Sequence, residues 1–207
     1  MSARAVPKAQ AHRWFAASYD LITWWAERSV FGPLRRLVVG SATGRVLEIG
    51  AGTGANFAYY AAAEAVVATE PDPFMFRRAS RRAERLGLDI QIQGCPAEAL
   101  PFADGSFDTV VSTLVLCSVA DPDRALAEAR RVLKEGGYLR FMEHVRADGL
   151  VGQVQDLLTP AWRWFGAGCH LNRHTDESIE AAGFEIVRMR RRALALTPLI
   201  FGVARRM

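Results

Sequence analysis

The stretch Leu47-Glu48-Ile49-Gly50-Ala51-Gly52-Thr53-Gly54-Ala55 decides how the rest of the chain is read. An apolar run at 45–49 ends in three alternating glycines, the pattern of a strand entering a tight turn. Glycine tolerates positive φ and lets a ligand come close to the backbone. A helix predicted over 56–63 would add the unpaired N–H groups of its first turn. Gly50, Gly52 and Ala55 also satisfy the G-x-G-x-x-G/A spacing of dinucleotide-binding turns, so the turn alone leaves two kinds of cofactor open.

Working outward, strands are expected at 65–69, 90–93, 107–113 and 138–142. Helices are expected at 73–86 and from Pro122, with Asp121 as N-cap and Gly136-Gly137 as the stop. A helical insert at 150–165, a helix at 175–182 and strands at 184–190 and 195–204 complete the chain. Alternation of strand and helix implies a parallel sheet covered on both faces. The fold class is α/β: a doubly wound, mostly parallel sheet of seven strands with a terminal antiparallel hairpin. Residues 1–42 read as an N-terminal helical cover carrying Trp14, Phe15, Tyr19, Ile22, Trp24, Trp25 and Phe31, broken at Gly32-Pro33. Residues 43–207 form the main domain, with an insert at about 146–175.

A chain of 207 residues, half hydrophobic and 23% charged, suits one globular domain. The net charge of +4 comes from local arginine groups that read as solvated helix faces. No basic stripe interleaved with aromatics is present, so no nucleic-acid partner is expected. Three cysteines without C-x-x-C spacing fit neither a disulfide framework nor a structural zinc site, and point to the cytoplasm. No signal core and no apolar run of membrane-crossing length stands out in the sequence.

Glu48 discriminates between the two cofactors, and Glu70 supplies a ribose ligand that either would use. A carboxylate two residues before the first glycine suits a cationic amino-acid moiety and repels a pyrophosphate. Glu70 ends the second strand about 20 residues after Gly50, where an acid grips the vicinal hydroxyls of a ribose. The charge at Glu48 favours S-adenosylmethionine, which carries an ammonium and a sulfonium.

Several ordered segments resemble the class I S-adenosylmethionine-dependent methyltransferases of the type 11 group, over about residues 43–145. Residues 47–54 resemble their first motif, and Thr69-Glu70-Pro71-Asp72 the acidic motif after the second strand. Ala97-Glu98-Ala99-Leu100-Pro101-Phe102 with Asp104-Gly105-Ser106-Phe107-Asp108 resembles the approach to the fourth strand, and Leu133-Lys134-Glu135-Gly136-Gly137 the later glycine motif. Gly54-Ala55-Asn56-Phe57, Thr113-Leu114-Val115-Leu116-Cys117-Ser118-Val119, Phe141-Met142-Glu143-His144-Val145 and Pro160-Ala161-Trp162 with Gly168-Cys169 are similar to the methyltransferase-like thiol S-methyltransferases.

The resemblance implies a Rossmann-like methyltransferase fold and a cofactor site at Glu48, Gly50, Ala51, Gly52, Thr53, Gly54, Asn56, Glu70, Pro71, Thr113 and Leu114. It also implies that 114–118 line the methyl-transfer face. Pro96 stands where an acid often binds adenine, which leaves that task to Ala97 and Glu98. Tyr19 would close over the cofactor.

Cys117, Ser118 and Trp162 would line the acceptor pocket. His144 is the candidate base, with Glu143 either orienting it or paired with an arginine. His170 and His174 lack a third ligand, so no metal is expected. The expected reaction is methyl transfer to a small, apolar acceptor such as a thiol. Oxygen, nitrogen or carbon acceptors, including quinone precursors and lipid headgroups, stay open. The aromatic helices would also suit contact with a membrane surface. A nicotinamide-dependent oxidoreductase and a non-catalytic cofactor-binding module are the competing classes.

Overall fold

The computed structural model describes residues 24–166 and 168–207. Seven strands form one sheet in the order β3-β2-β1-β4-β5-β7-β6. They are β1 (Gly44–Ile49), β2 (Ala63–Thr69), β3 (Ile90–Gln93), β4 (Phe107–Thr113), β5 (Leu133–His144), β6 (Phe184–Arg192) and β7 (Leu199–Arg206). The first five run parallel. β7 is antiparallel to both β5 and β6, and so lies between them. The helices are α1 (Gly32–Val39), α2 (Pro73–Leu86), α3 (Pro122–Val132), α4 (Gly149–Phe165) and α5 (Thr175–Ala181).

Strand periodicity sorts the core into two layers. Leu47, Val67, Val110, Leu139 and Phe141 pack with Leu126 and Ala129 of α3. The alternate residues face the other way. Met142 meets Leu34 and Val38 of α1, while Val46 and Val111 meet Val39 and Ala42. Ala68 packs on Ala79 and Ala83 of α2. Central strands covered on both faces explain the near-continuous apolar runs of β1 and β4.

Helix ends follow local chemistry. Asp72 caps α2 by accepting from Phe74 N and Met75 N, Pro73 opens the first turn, and Gly87 closes it at φ 64°. Asp121 caps α3 through Arg124 N.

Three expectations are corrected. The helix expected over 56–63 is a single 3-10 turn, Phe57–Tyr59, and β2 begins at Ala63. Asn56 and Tyr60 on either side of it bond to the sheet through their side chains, which holds this segment out of a regular helix. Gly32-Pro33 does not break the N-terminal helix. Trp24–Ala26 runs through a π-helical turn, Glu27–Phe31, into α1. Gly32 N bonds back to Glu27 O, and the widened turn absorbs a proline that cannot donate. Finally, α3 ends at Val132 and β5 starts at Leu133, ahead of the two glycines. These sit in an irregularity of the ladder, between the Phe107–Leu133 and Thr109–Tyr138 pairs. Trp14, Phe15, Tyr19 and Ile22 lie outside the described residues.

Strand order reverses between β1 and β4, so the crevice at their carboxyl ends is the topological switch point where such sheets bind ligands. Fully buried Phe141 centres the layer beneath that edge. Phe141→Ala is expected to cost about 3–5 kcal/mol of folding stability, read as a lower urea midpoint at unchanged slope.

Candidate active site

The turn after β1 is built from three positive-φ glycines: Gly50 at 61°, Gly52 at 58° and Gly54 at 77°. A Cβ on Gly50 would lie 2.7 Å from the Val115 side chain, and one on Gly54 2.7 Å from the Phe57 ring. A Cβ on Gly52 would meet nothing within 4 Å. The turn is therefore packed at both ends and open at its middle, where a ligand can reach the backbone.

Glu70, at the end of β2, ties this turn down. Its Oε2 accepts from Gly52 N and its Oε1 from Asp72 N, each at 2.8 Å. Ala51 N donates to Thr69 O at 2.8 Å. A carboxylate has about four acceptor sites. Two are used here, which leaves capacity for a pair of hydroxyls. Pro71 follows at the rim, and Thr53 is buried within the turn.

Glu48 lies on the α1 side of the sheet, within a polar network. Its Oε1 accepts from Asn56 Nδ2 at 2.9 Å and its Oε2 from the Tyr60 hydroxyl at 2.7 Å. Thr113 Oγ1, at the end of β4, accepts from Asn56 Nδ2 and Arg35 Nη1 at 2.9 Å. Arg35 Nη1 also donates to Asn56 Oδ1 at 2.7 Å, and the guanidinium pairs with Glu27 at 3.0 Å. Glu48, Asn56, Thr113 and Arg35 are thus joined in one buried hydrogen-bonded unit. Burial pushes both Glu48 and Glu70 up to about 7, against the lowering effect of their hydrogen bonds.

The other side of the crevice is the turn after β4. Leu114 adopts φ 61°, a conformation that costs a branched side chain energy and clusters at functional sites. Its N–H donates to Met142 O at 2.7 Å. Among the described residues Glu143 makes no hydrogen bond to His144 and no ion pair with an arginine. Fully buried, it accepts from Ser112 Oγ at 2.7 Å, Val115 N at 3.1 Å and Cys117 N at 3.4 Å, and so shapes the turn itself.

Cys117, Ser118 and His144 come together at this edge, joined by Cys169 from the loop after α4. His144 Nδ1 is 3.9 Å from Cys117 Sγ and 3.7 Å from Cys169 Sγ. The Ser118 hydroxyl is 3.5 Å from Cys117 Sγ. Phe31 packs edge-on against the His144 ring. The hydrogen bond with Cys169, together with burial, drives the Cys117 thiol up, and the same bond lowers Cys169. Burial opposes a charge on His144, but the cysteine and Glu143 beside it outweigh burial and raise it.

Ala97 is buried in the α3-side core. Glu98 accepts from Ala120 N at 3.0 Å and Asp121 N at 3.3 Å, so it shapes the loop before α3. Trp162 is half-exposed on α4 and hydrogen-bonds the Cys169 sulfur. His170 and His174 stay apart in their contacts, the first on Cys117 O and the second beside Glu177.

Sequence reasoning missed Arg35, Tyr60, Gln155 and Arg173. Buried Gln155 of α4 accepts from Ala147 N and donates to Val145 O, Leu171 O and Leu196 O, stitching three loops together. Arg173 donates to Leu116 O and Val119 O, bracing the β4 turn from outside. Arg35 stands beside Arg36 in the sequence, and only the fold shows which of the two arginines is buried.

Comparison with known proteins agrees with this geometry. Residues 47–141 match the methyltransferase-domain family. Thiol S-methyltransferase TMT1B of Homo sapiens is 37% identical over 188 residues, 86% of this chain and 77% of that protein. Thiol S-methyltransferase TMT1A of Homo sapiens is 34% identical over 189 residues, with the same coverage. Among solved structures, a SAM-dependent methyltransferase from Aquifex aeolicus superposes with TM-score 0.66 at 17% identity, over 93% of this chain and 98% of that one. The [4+2]-cyclase SpnF superposes with TM-score 0.71 at 19% identity, over 98% and 99%.

Fold and family together define an S-adenosylmethionine-dependent methyltransferase with a Rossmann-like sheet. More narrowly, the chain belongs to the methyltransferase family that includes the thiol S-methyltransferases. The site fits the cofactor: the open face at Gly52 admits it, and Glu70 keeps acceptor capacity for a ribose.

The raised Glu48 and Glu70 carboxyls carry a pH signature. In the folded, cofactor-free protein they hold protons up to about 7, whereas unfolded glutamates release theirs near 4.5. Their contribution to stability is full below the unfolded value and is lost as pH rises through about 7. The urea midpoint of cofactor-free protein is expected to fall between about pH 5 and pH 8. A Glu48→Gln, Glu70→Gln double variant should flatten that slope, and an equal slope in both proteins would refute it.

Proposed function

We propose that this methyltransferase acts on a small, apolar thiol. The observation that carries this reading is the 34–37% identity to two thiol S-methyltransferases over 86% of the chain. The cysteine and histidine cluster beside the β4 turn supports it, since it surrounds the acceptor edge with soft, weakly hydrated atoms. Exposed Leu150, Leu157 and Trp164 on α4 favour an apolar acceptor and would also suit a membrane surface.

When bound, the cofactor supplies a methyl group on a sulfonium, whose leaving group is a neutral thioether. The chain's own work is to bind, orient and exclude water. Glu70 holds the ribose hydroxyls, and Gly50, Gly52 and Gly54 bring the backbone to the ligand. The Glu48, Asn56 and Thr113 network faces the amino-acid end, while Ala97 and Pro71 flank the adenosine. Leu114 and Cys117 set the approach of the acceptor between Ser118 and Trp162. A thiol attacks as its thiolate, and His144 is the group at this edge assigned to make it. Three free cysteines support a reducing compartment such as the cytoplasm. No described helix is long and apolar enough to cross a membrane.

An acceptor screen with alkyl and aryl thiols, phenols, amines and phosphatidylethanolamine, read by product mass spectrometry, tests the assignment. Thiols should give S-methyl products, and methylation confined to oxygen, nitrogen or carbon acceptors would reassign the substrate class. Glu70→Ala should weaken cofactor binding by about 1.5–3 kcal/mol through lost charged hydrogen bonds, as measured by calorimetry. An unchanged dissociation constant would remove Glu70 from the site.

A further inference from the structure

Cys117, His144 and Cys169 come from three separate segments: the turn after β4, the end of β5 and the loop after α4. Their ligand atoms lie within 4.8 Å of one another. A tetrahedral zinc ion with Zn–S of about 2.3 Å and Zn–N of about 2.05 Å places sulfur and nitrogen about 3.6 Å apart, and two sulfurs about 3.8 Å apart. The two sulfur–nitrogen distances here are 3.9 and 3.7 Å. The two sulfurs lie within 4.8 Å of one another, so seating the ion requires them to close by up to about 1 Å.

We propose that Cys117, His144 and Cys169 form a binding site for one thiophilic divalent cation of the zinc class. Two thiolates and a neutral imidazole around a dication give a net neutral centre, the form least costly to bury. Two sulfurs and one ring nitrogen disfavour magnesium and calcium, which take oxygen ligands. The surroundings are those of a supported ligand set. The Ser118 hydroxyl and Trp162 contact the two sulfurs. Glu143 holds the Cys117 backbone, and His170 N donates to Cys117 O at 2.7 Å.

Three protein ligands leave a fourth position for water or an exogenous thiol. A thiol bound there would release its proton to solvent water as its sulfur ligates the cation, so His144 would serve as a ligand rather than as the proton acceptor. That last link rests on the thiol reading; the cation site does not.

The test uses the full chain, reduced and stripped with a chelator, without cofactor or acceptor. Zinc is titrated by calorimetry and cobalt(II) by visible absorption. The expected result is one equivalent of each, with tetrahedral ligand-field bands and a thiolate charge-transfer band that zinc abolishes. Cys117→Ser and Cys169→Ser should each diminish the charge-transfer band. His144→Ala should bind at least about tenfold more weakly. Cys95→Ser should keep full uptake.

The site is overturned if reduced wild-type protein takes up neither metal, an arm that does not depend on any variant folding. It is equally overturned if cobalt binds without a thiolate band, or if a Cys117, Cys169 double serine variant binds as well as wild type. Failure of every thiol in the acceptor screen would sink the substrate reading and leave this uptake unchanged.

Discussion

A carboxylate removed from water must be met by hydrogen-bond donors. At the carboxyl edge of this sheet the chain meets that demand largely with the backbone of its own loops. Glu70 takes Gly52 N and Asp72 N, and Glu143 takes Val115 N and Cys117 N. Each acid sits at a strand end, so the rigid sheet dictates where the adjoining turn must go. Glu48 is the variant case, satisfied by Asn56 and Tyr60 instead. The crevice is in this sense pre-organised by acids whose own partners are the walls of the site.

The parallel half of the sheet was legible because its signals are local. Strand hydrophobicity, the Asp72 and Asp121 caps and the glycine turn each act within a few residues. α2, β3 and β4 match the bounds read from sequence for that reason. The segment after Asn56 differs from the helix its sequence suggests because its conformation is fixed by side-chain bonds to Glu48, across the glycine turn, and to Thr113, 57 residues away. Glu143 was misread for a similar cause. A helix or strand pattern says which face a residue takes, but not that its carboxylate will collect the N–H groups of a turn about 30 residues away in the chain. Cys169 and Gln155 carry no pattern that announces their partners, since three loops must first be folded together.

The architecture says less about chemistry than the residues on it. A [4+2]-cyclase superposes on this chain as well as a methyltransferase does. What separates outcomes on such a sheet is the wall opposite the cofactor turn. Here that wall combines a strained Leu114, a buried acid and a soft cluster of sulfur and imidazole.

The placement of β7 between β5 and β6 has a bearing on biosynthesis. His144 pairs with Leu199 across this ladder, so the edge that carries Cys117 and His144 is braced by a segment translated well after β5 itself. The cofactor half of the sheet has its partners available much earlier, since N-terminal segments emerge and fold first. During translation the nascent polypeptide would hold β5 as an open sheet margin, a state that invites wrong pairing until residues 199–206 arrive.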